Sequence, residues 1–156
     1  MRMNPKTKIS ADRLVLDASI AVAWCFEDEQ TPYTEWLLTV LTSEMSALVP
    51  TLWPFEVANA LLAAERRKRI TVAQAAHFLS RLTDLGILID SLDTSRVFEQ
   101  TISQAREWNL TVYDASYLEL ALREGLPLAT LDNSLKNAAR SAGVLIARHV
   151  SQKRID

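Results

Sequence analysis

At 156 residues the chain has the length of one domain, read as 1–156 with a core over about 12–150, and at this size roughly 70% of the unfolded chain's surface is buried on folding. A formal charge of −2 excludes a protein that holds nucleic acid chiefly through a strongly basic surface, although a carboxylate-rich site makes a metal-free chain look more acidic than its loaded form. The single cysteine, Cys25, excludes a disulfide scaffold; no run approaches the 18 or so apolar residues that cross a bilayer, and the basic start MRMNPKTKISADR has no apolar stretch behind it, so a cytoplasmic protein without membrane contact is expected.

The first apolar run, LVLD (14–17), reads as a strand that closes on Asp17. A helical stretch follows at 18–26, where Cys25 in IAVAWCF reads as a small buried hydrophobe, and another at 31–45 carries Trp36. The strand ALVP (47–50) leads into WPFEVANALLAAERR, a helix over 53–69 with Pro54 in its first turn and the basic run ERRKR (65–69) at its end. A helix at 71–85 has Thr71 as N-cap and stops at Gly86 before the strand ILIDSL (87–92). Thr94 has N-cap character for a helix over 94–108; a helix over 113–124 stops at Gly125 before the strand PLATLD (127–132); a last helix, 133–141, stops at Gly143 before the strand VLIA (144–147). Short apolar strands alternating with helices predict parallel pairing through right-handed crossovers. The expected fold is α/β, a three-layer α/β/α sandwich around a central, mainly parallel five-stranded sheet covered on both faces. In such open sheets, sites form beyond the carboxyl ends of the strands.

Asp17 and Asp132 stand where a strand gives way to a helix, a place where a carboxylate serves either as an N-cap or as a functional group. Asp114, after TVY and before a helical face of Ala115, Tyr117, Leu118 and Leu122, carries the same two readings. Glu56 lies among Trp53, Phe55, Val57 and Leu61: it is either a first-turn acid favoured by the helix dipole or a carboxylate that is costly to bury unless paired or metal-bound. Asn59 shares its helix face three residues on. Ser19 and Thr130, each two residues from an acid, either support a site carboxylate or bond the local backbone.

Parallel strands would bring all four acids to one edge of the sheet. The repulsion among them is relieved by a hard divalent cation with oxygen ligands, Mg²⁺ or Mn²⁺; Zn²⁺ is disfavoured because His77, His149 and the lone cysteine form no ligand-spaced cluster. Such a site suits phosphodiester hydrolysis. Lys136 and Arg140, on the helix after Asp132, are candidate phosphate contacts along a nucleic-acid strand, whereas ERRKR reads as a solvated run suited to a helix C-terminus.

These segments resemble the PIN-domain family, and within it the VapC-type toxin ribonucleases of type II toxin–antitoxin systems. The resemblance rests on LVLDASIAVAW, PFEVANAL, TVYDASYLELALREGLPLATLD and SLKNAARSAGV in this order, and runs from Leu14 to Ala147. It implies that Asp17, Glu56, Asp114 and Asp132 form an acidic metal site with Asn59, Ser19 and Thr130 in support. It implies an endoribonuclease that leaves 5′-phosphate and 3′-hydroxyl ends, a homodimer, and a cognate VapB-type antitoxin whose C-terminal segment wraps the toxin in a heterotetramer or larger assembly. Trp36 and Trp53 belong to the antitoxin groove on this reading unless they are core, which is the safer expectation. Some relatives carry a further acid soon after the last aspartate, where Asn133 and Lys136 stand here.

The alternative on the same fold is a catalytically silent binding module that acts through a protein partner, with the acids serving as caps. An aspartyl-phosphate enzyme fits less well. The haloacid-dehalogenase pattern needs a second aspartate where Ser19 stands, and nothing matches a receiver domain's phosphoacceptor aspartate and late lysine.

Overall fold

A computed structural model of the chain describes residues 12–149. Its element order is β1 (Arg13–Leu16), α1 (Ala18–Cys25), a 3₁₀ turn (Glu27–Glu29), α2 (Pro32–Ser43), β2 (Ser46–Val49), α3 (Trp53–Arg66), α4 (Val72–Thr83), β3 (Ile87–Ile89), α5 (Thr94–Arg96), α6 (Ile102–Trp108), α7 (Val112–Glu124), β4 (Leu128–Ala129) and α8 (Asn133–Ser141). A π-helical turn, Val97–Thr101, joins α5 to α6.

The sheet has four strands in the order β3-β2-β1-β4, every pair parallel. The expected fifth strand over 144–147 is a correction: it makes only an isolated bridge between Leu128 and Ile146. Two features keep it short. Its partner β4 is two residues long, and the Ala147 carbonyl accepts the Tyr33 hydroxyl at 2.7 Å instead of another strand. The strand expected over 87–92 also shrinks to three residues, because the Asp90 side chain turns away to Arg96 and Arg123. As an edge strand, β3 leaves Leu88 and Ile89 exposed rather than covered.

The central strands behave as their apolar runs predict. Leu14, Val15 and Leu16 of β1 are wholly buried, and they pack with Ile20, Leu37, Val49, Val57, Leu118, Leu128 and Leu135 from both sides of the sheet. Burial of such aliphatic side chains contributes roughly 1.5–3 kcal/mol each, the main force that fixes strand register. Trp53 belongs to this core, while Trp36 is half-buried at its margin, stacked on Tyr33. Cys25 is half-buried.

Helix ends follow local chemistry. Thr31 and Thr71 each close a reciprocal capping box, with Thr34 and Gln74 respectively. Asp93, not Thr94, caps α5 through the amides of Ser95 and Arg96. Gly125 ends α7 at φ 65°, a left-handed conformation that a residue without a Cβ adopts at little cost.

The topology fixes where a site can lie. The chain winds outward from β1 through β2 to β3, then crosses back to place β4 on the other side of β1. The carboxyl ends of β1 and β4 therefore flank the point where the winding reverses, the usual crevice of an open α/β sheet.

Candidate active site

Asp17 follows β1 directly and holds the N-cap position of α1, yet its carboxylate makes no capping bond. Oδ2 instead accepts two hydroxyls, Ser19 Oγ and Thr130 Oγ1, each at 2.7 Å. The cap reading of Asp17 is thereby excluded. Both hydroxyls also accept from the loop after β4: the Leu131 amide donates to Ser19 Oγ at 3.1 Å and the Asp132 amide to Thr130 Oγ1 at 3.0 Å. A buried carboxylate, 5% exposed, is thus wired through two hydroxyls to the backbone that carries Asp132.

Asp132 combines both of its expected readings in part. Oδ1 caps α8 by accepting the Leu135 amide at 2.7 Å, and the side chain also lines the cleft. Asp114 is no cap: Thr111 holds that role, its Oγ1 accepting the Asp114 amide at 3.1 Å, and Asp114 projects from the first turn of α7. Glu56, in the first turn of α3, accepts the Tyr117 hydroxyl on Oε1 at 2.7 Å.

All four carboxylates line one open cleft of about 600 Å³, together with Ser19. Its walls are largely small or apolar, from Ala18, Val22, Ala23, Ala60 and Leu131, which leaves room beside the acids. Burial pushes the Asp17 carboxyl above the usual carboxylate range; the Ser19 and Thr130 hydrogen bonds oppose this and the Asp132 charge adds to it. Glu56 is raised by burial and by the charges of Asp17 and Asp114, against the Tyr117 hydrogen bond. Asp114 is raised by burial, then by Asp132 and Asp17. No Lys or Arg among the described residues forms an ion pair with any of the four.

The donor set is all carboxylate and hydroxyl oxygen, which matches the preference of Mg²⁺ and Mn²⁺ and not that of Zn²⁺. The mutual repulsion at the cleft is the kind a divalent cation relieves. Among the described residues, no three His, Cys, Asp or Glu side chains are already gathered closely enough to hold a metal ion as they stand.

Other sequence-expected residues lie outside the cleft. Asn59 is exposed on α3 and is not part of the lining, and neither Lys136 nor Arg140 on α8 reaches it. His77 and His149 are exposed and away from the acids. From the basic run, Arg69 folds back over the Phe26 ring at 4.1 Å and pairs with Asp28 at 3.3 Å. Two residues were missed. Tyr117 was legible as i+3 from Asp114 on one helix face; Glu29, a fifth acid in the cleft lining and 4.0 Å from Arg69, follows no apolar run and gave no signal.

Residues 14–141 match the family model for the PIN domain. Ribonuclease VapC3 from Pyrobaculum aerophilum is 30% identical over 123 residues, which cover 79% of this chain and 92% of that protein. Among solved structures, PAE2754 from Pyrobaculum aerophilum shares the fold, with a TM-score of 0.65 at 24% identity over 83% of this chain and 86% of that one. FitAcB from Neisseria gonorrhoeae is more distant, with a TM-score of 0.48 and 16% identity over 86% and 96% of the respective chains. The match to the family model takes in all four strands but for Arg13 and every acid of the cleft, and the chain belongs to the PIN domain family.

Proposed function

We propose that the chain is a metal-dependent endoribonuclease, the VapC-type toxin of a toxin–antitoxin pair. The observation that carries this reading is the cleft itself: of the five carboxylates on its lining, only Glu29 has a cationic partner, Arg69 at 4.0 Å, and Asp17, Glu56, Asp114 and Asp132 have none among the described residues. The kinship with a protein named as a VapC ribonuclease supports RNA as the substrate.

Asp17, Asp114, Asp132 and Glu56 would hold the cation, Mg²⁺ or Mn²⁺. When bound, the ion supplies charge neutralisation, polarisation of the phosphoryl oxygen and activation of a water for in-line attack. The chain's own residues do the positioning. Ser19 and Thr130 spend their protons on Asp17 Oδ2 and so fix its rotamer, while the α8 amide at Leu135 fixes Oδ1 of Asp132. Ala18, Ala23 and Ala60 leave the approach open for a phosphodiester. Lys136 and Arg140 are assigned to phosphate groups further along the strand, outside the cleft.

The expected partners are RNA, a VapB-type antitoxin, and a second copy of the chain in a homodimer that the antitoxin extends to a heterotetramer or larger. None of the helices among the described residues is long and apolar enough to cross a membrane, and the cytoplasm is the compartment we assign.

The test is RNA cleavage in Mg²⁺ or Mn²⁺ that EDTA abolishes and that Asp17→Asn or Asp114→Asn removes without unfolding the protein. Undiminished cleavage in either variant overturns the reading. One observation favours the silent binding module instead, the Asp132 bond that caps α8. Calorimetric titration that detects no divalent-ion binding would select that alternative.

A further inference from the structure

Tyr117 is wholly buried, the largest such side chain among the described residues, yet its phenolic oxygen meets a carboxylate of the cleft. It meets two partners there. The amide of Ala18, first residue of α1, donates to it at 3.4 Å, and Glu56 Oε1 lies 2.7 Å away. An amide nitrogen only donates, so the one phenolic proton is committed to Glu56. Tyr117 therefore ties the start of α1, next to Asp17, to the first turn of α3, and does so from the helix whose first turn carries Asp114.

We propose that Tyr117 is a positioning residue for the acid site: its hydroxyl fixes the Glu56 carboxylate at the cleft it shares with Asp17 and Asp114, so that less of its motion has to be arrested when a divalent cation binds. The inference rests on the metal-site reading above and adds a residue to it. Glu56 is half-buried on a flexible stem, and arresting the free rotation of such a side chain when a ligand binds costs conformational entropy. The buried phenol arrests it beforehand. Being itself fixed by the core on every side, Tyr117 transmits the position of the sheet to the Glu56 carboxylate. The charge-assisted hydrogen bond it donates is of the stronger, shorter kind.

The experiment is calorimetric titration of Mn²⁺ into the full chain as wild type, Tyr117→Phe, Glu56→Gln and the double variant, with thermal melts in EDTA to confirm folding. Tyr117→Phe is expected to weaken Mn²⁺ binding about tenfold, the lower end for loss of a partner that orients a ligand. It should do nothing further in the Glu56→Gln background, because its action runs through that carboxylate. RNA cleavage by Tyr117→Phe should recover at saturating Mn²⁺, which a general loss of structure would not allow. Unchanged affinity in Tyr117→Phe, or the same loss in both backgrounds, overturns the positioning role while leaving the metal site intact. Absence of Mn²⁺ binding by the wild type overturns the metal site and this inference together. Should Tyr117→Phe fail to fold, Glu56→Asp keeps the charge but draws it back by one methylene, and undiminished Mn²⁺ affinity there is equally decisive against the role.

Discussion

Two groups of acids lie along the same helix, and the protein treats them in opposite ways. Near its start, α7 presents Asp114 to a cleft shared with Asp17, Glu56 and Asp132, where no arginine or lysine pairs with them. Five residues on, Glu119 is 6% exposed and fully compensated. Arg123 Nε approaches Glu119 at 2.9 Å and its Nη2 approaches Asp90 at 2.6 Å, while Arg96 lies 3.8 Å from Glu119 and 3.6 Å from Asp90. Where an acid holds α7 to the end of β3, the fold supplies its counter-charge. Where the counter-charge is left out, burial and mutual repulsion raise the carboxyls of Asp17, Glu56 and Asp114 together.

That contrast can be broken from either side. The largest effect is expected from Asp17→Asn or Asp114→Asn, which should slow RNA cleavage about a thousandfold or more, the equivalent of the several kcal/mol a metal supplies, measured under saturating Mn²⁺. Next, Mn²⁺ at a hundred times its dissociation constant should stabilise the wild type by about 2.7 kcal/mol in denaturant titrations and leave Asp17→Asn unmoved. Arg123→Gln should lower stability by about 2 kcal/mol, because it leaves the buried Glu119 with only the longer contact to Arg96 at 3.8 Å, while leaving cleavage by the folded fraction unchanged. An equal loss of cleavage per folded molecule would show that the two acid groups are not separate.

A smaller effect concerns pH. The folded protein holds protons on Asp114 more tightly than the unfolded chain does, since burial and the charges of Asp132 and Asp17 raise it. That contribution is fully present below the ordinary carboxylate value of about 4 and is lost as pH rises through the raised value, so at neutral pH the charged group weakens the metal-free protein. Melts in EDTA should therefore find Asp114→Asn more stable than wild type at pH 7, with the advantage shrinking as pH falls. A variant less stable than wild type at every pH would contradict the sign. The smallest change is expected from Asn59→Ala, exposed and outside the cleft, for which cleavage and melting should stay within error of wild type.

Much of this was legible in the residues. LVLD and ALVP show their strands because both faces are covered, and Thr71 announces its helix because the capping box is local chemistry. That Asp17 and Asp132 share an edge followed from parallel strands, and Glu56 and Asp114 join them from the first turns of α3 and α7. What stayed hidden depends on partners far away in sequence. VLIA has the composition of a strand, but β4 offers it only a single bridge. ILIDSL lost its second half because Asp90 answers to Arg123, 33 residues later. The choice between cap and ligand was undecidable locally: Asp17 occupies a cap position without capping, and what turns its carboxylate away is Thr130, 113 residues on. Asn59 shows the limit of helical spacing, which puts it three residues from Glu56 while its exposed side chain is not part of the cleft lining.

The most direct measurement is cleavage of a labelled RNA by the purified protein in EDTA, Mg²⁺ and Mn²⁺, with Asp114→Asn and Arg123→Gln run alongside wild type. An uncompensated carboxylate cleft that works through a cation should cut only when a divalent ion is present, lose cutting in Asp114→Asn and keep it in Arg123→Gln. Cleavage in EDTA at the wild-type rate, or cleavage by Asp114→Asn equal to wild type, would contradict it.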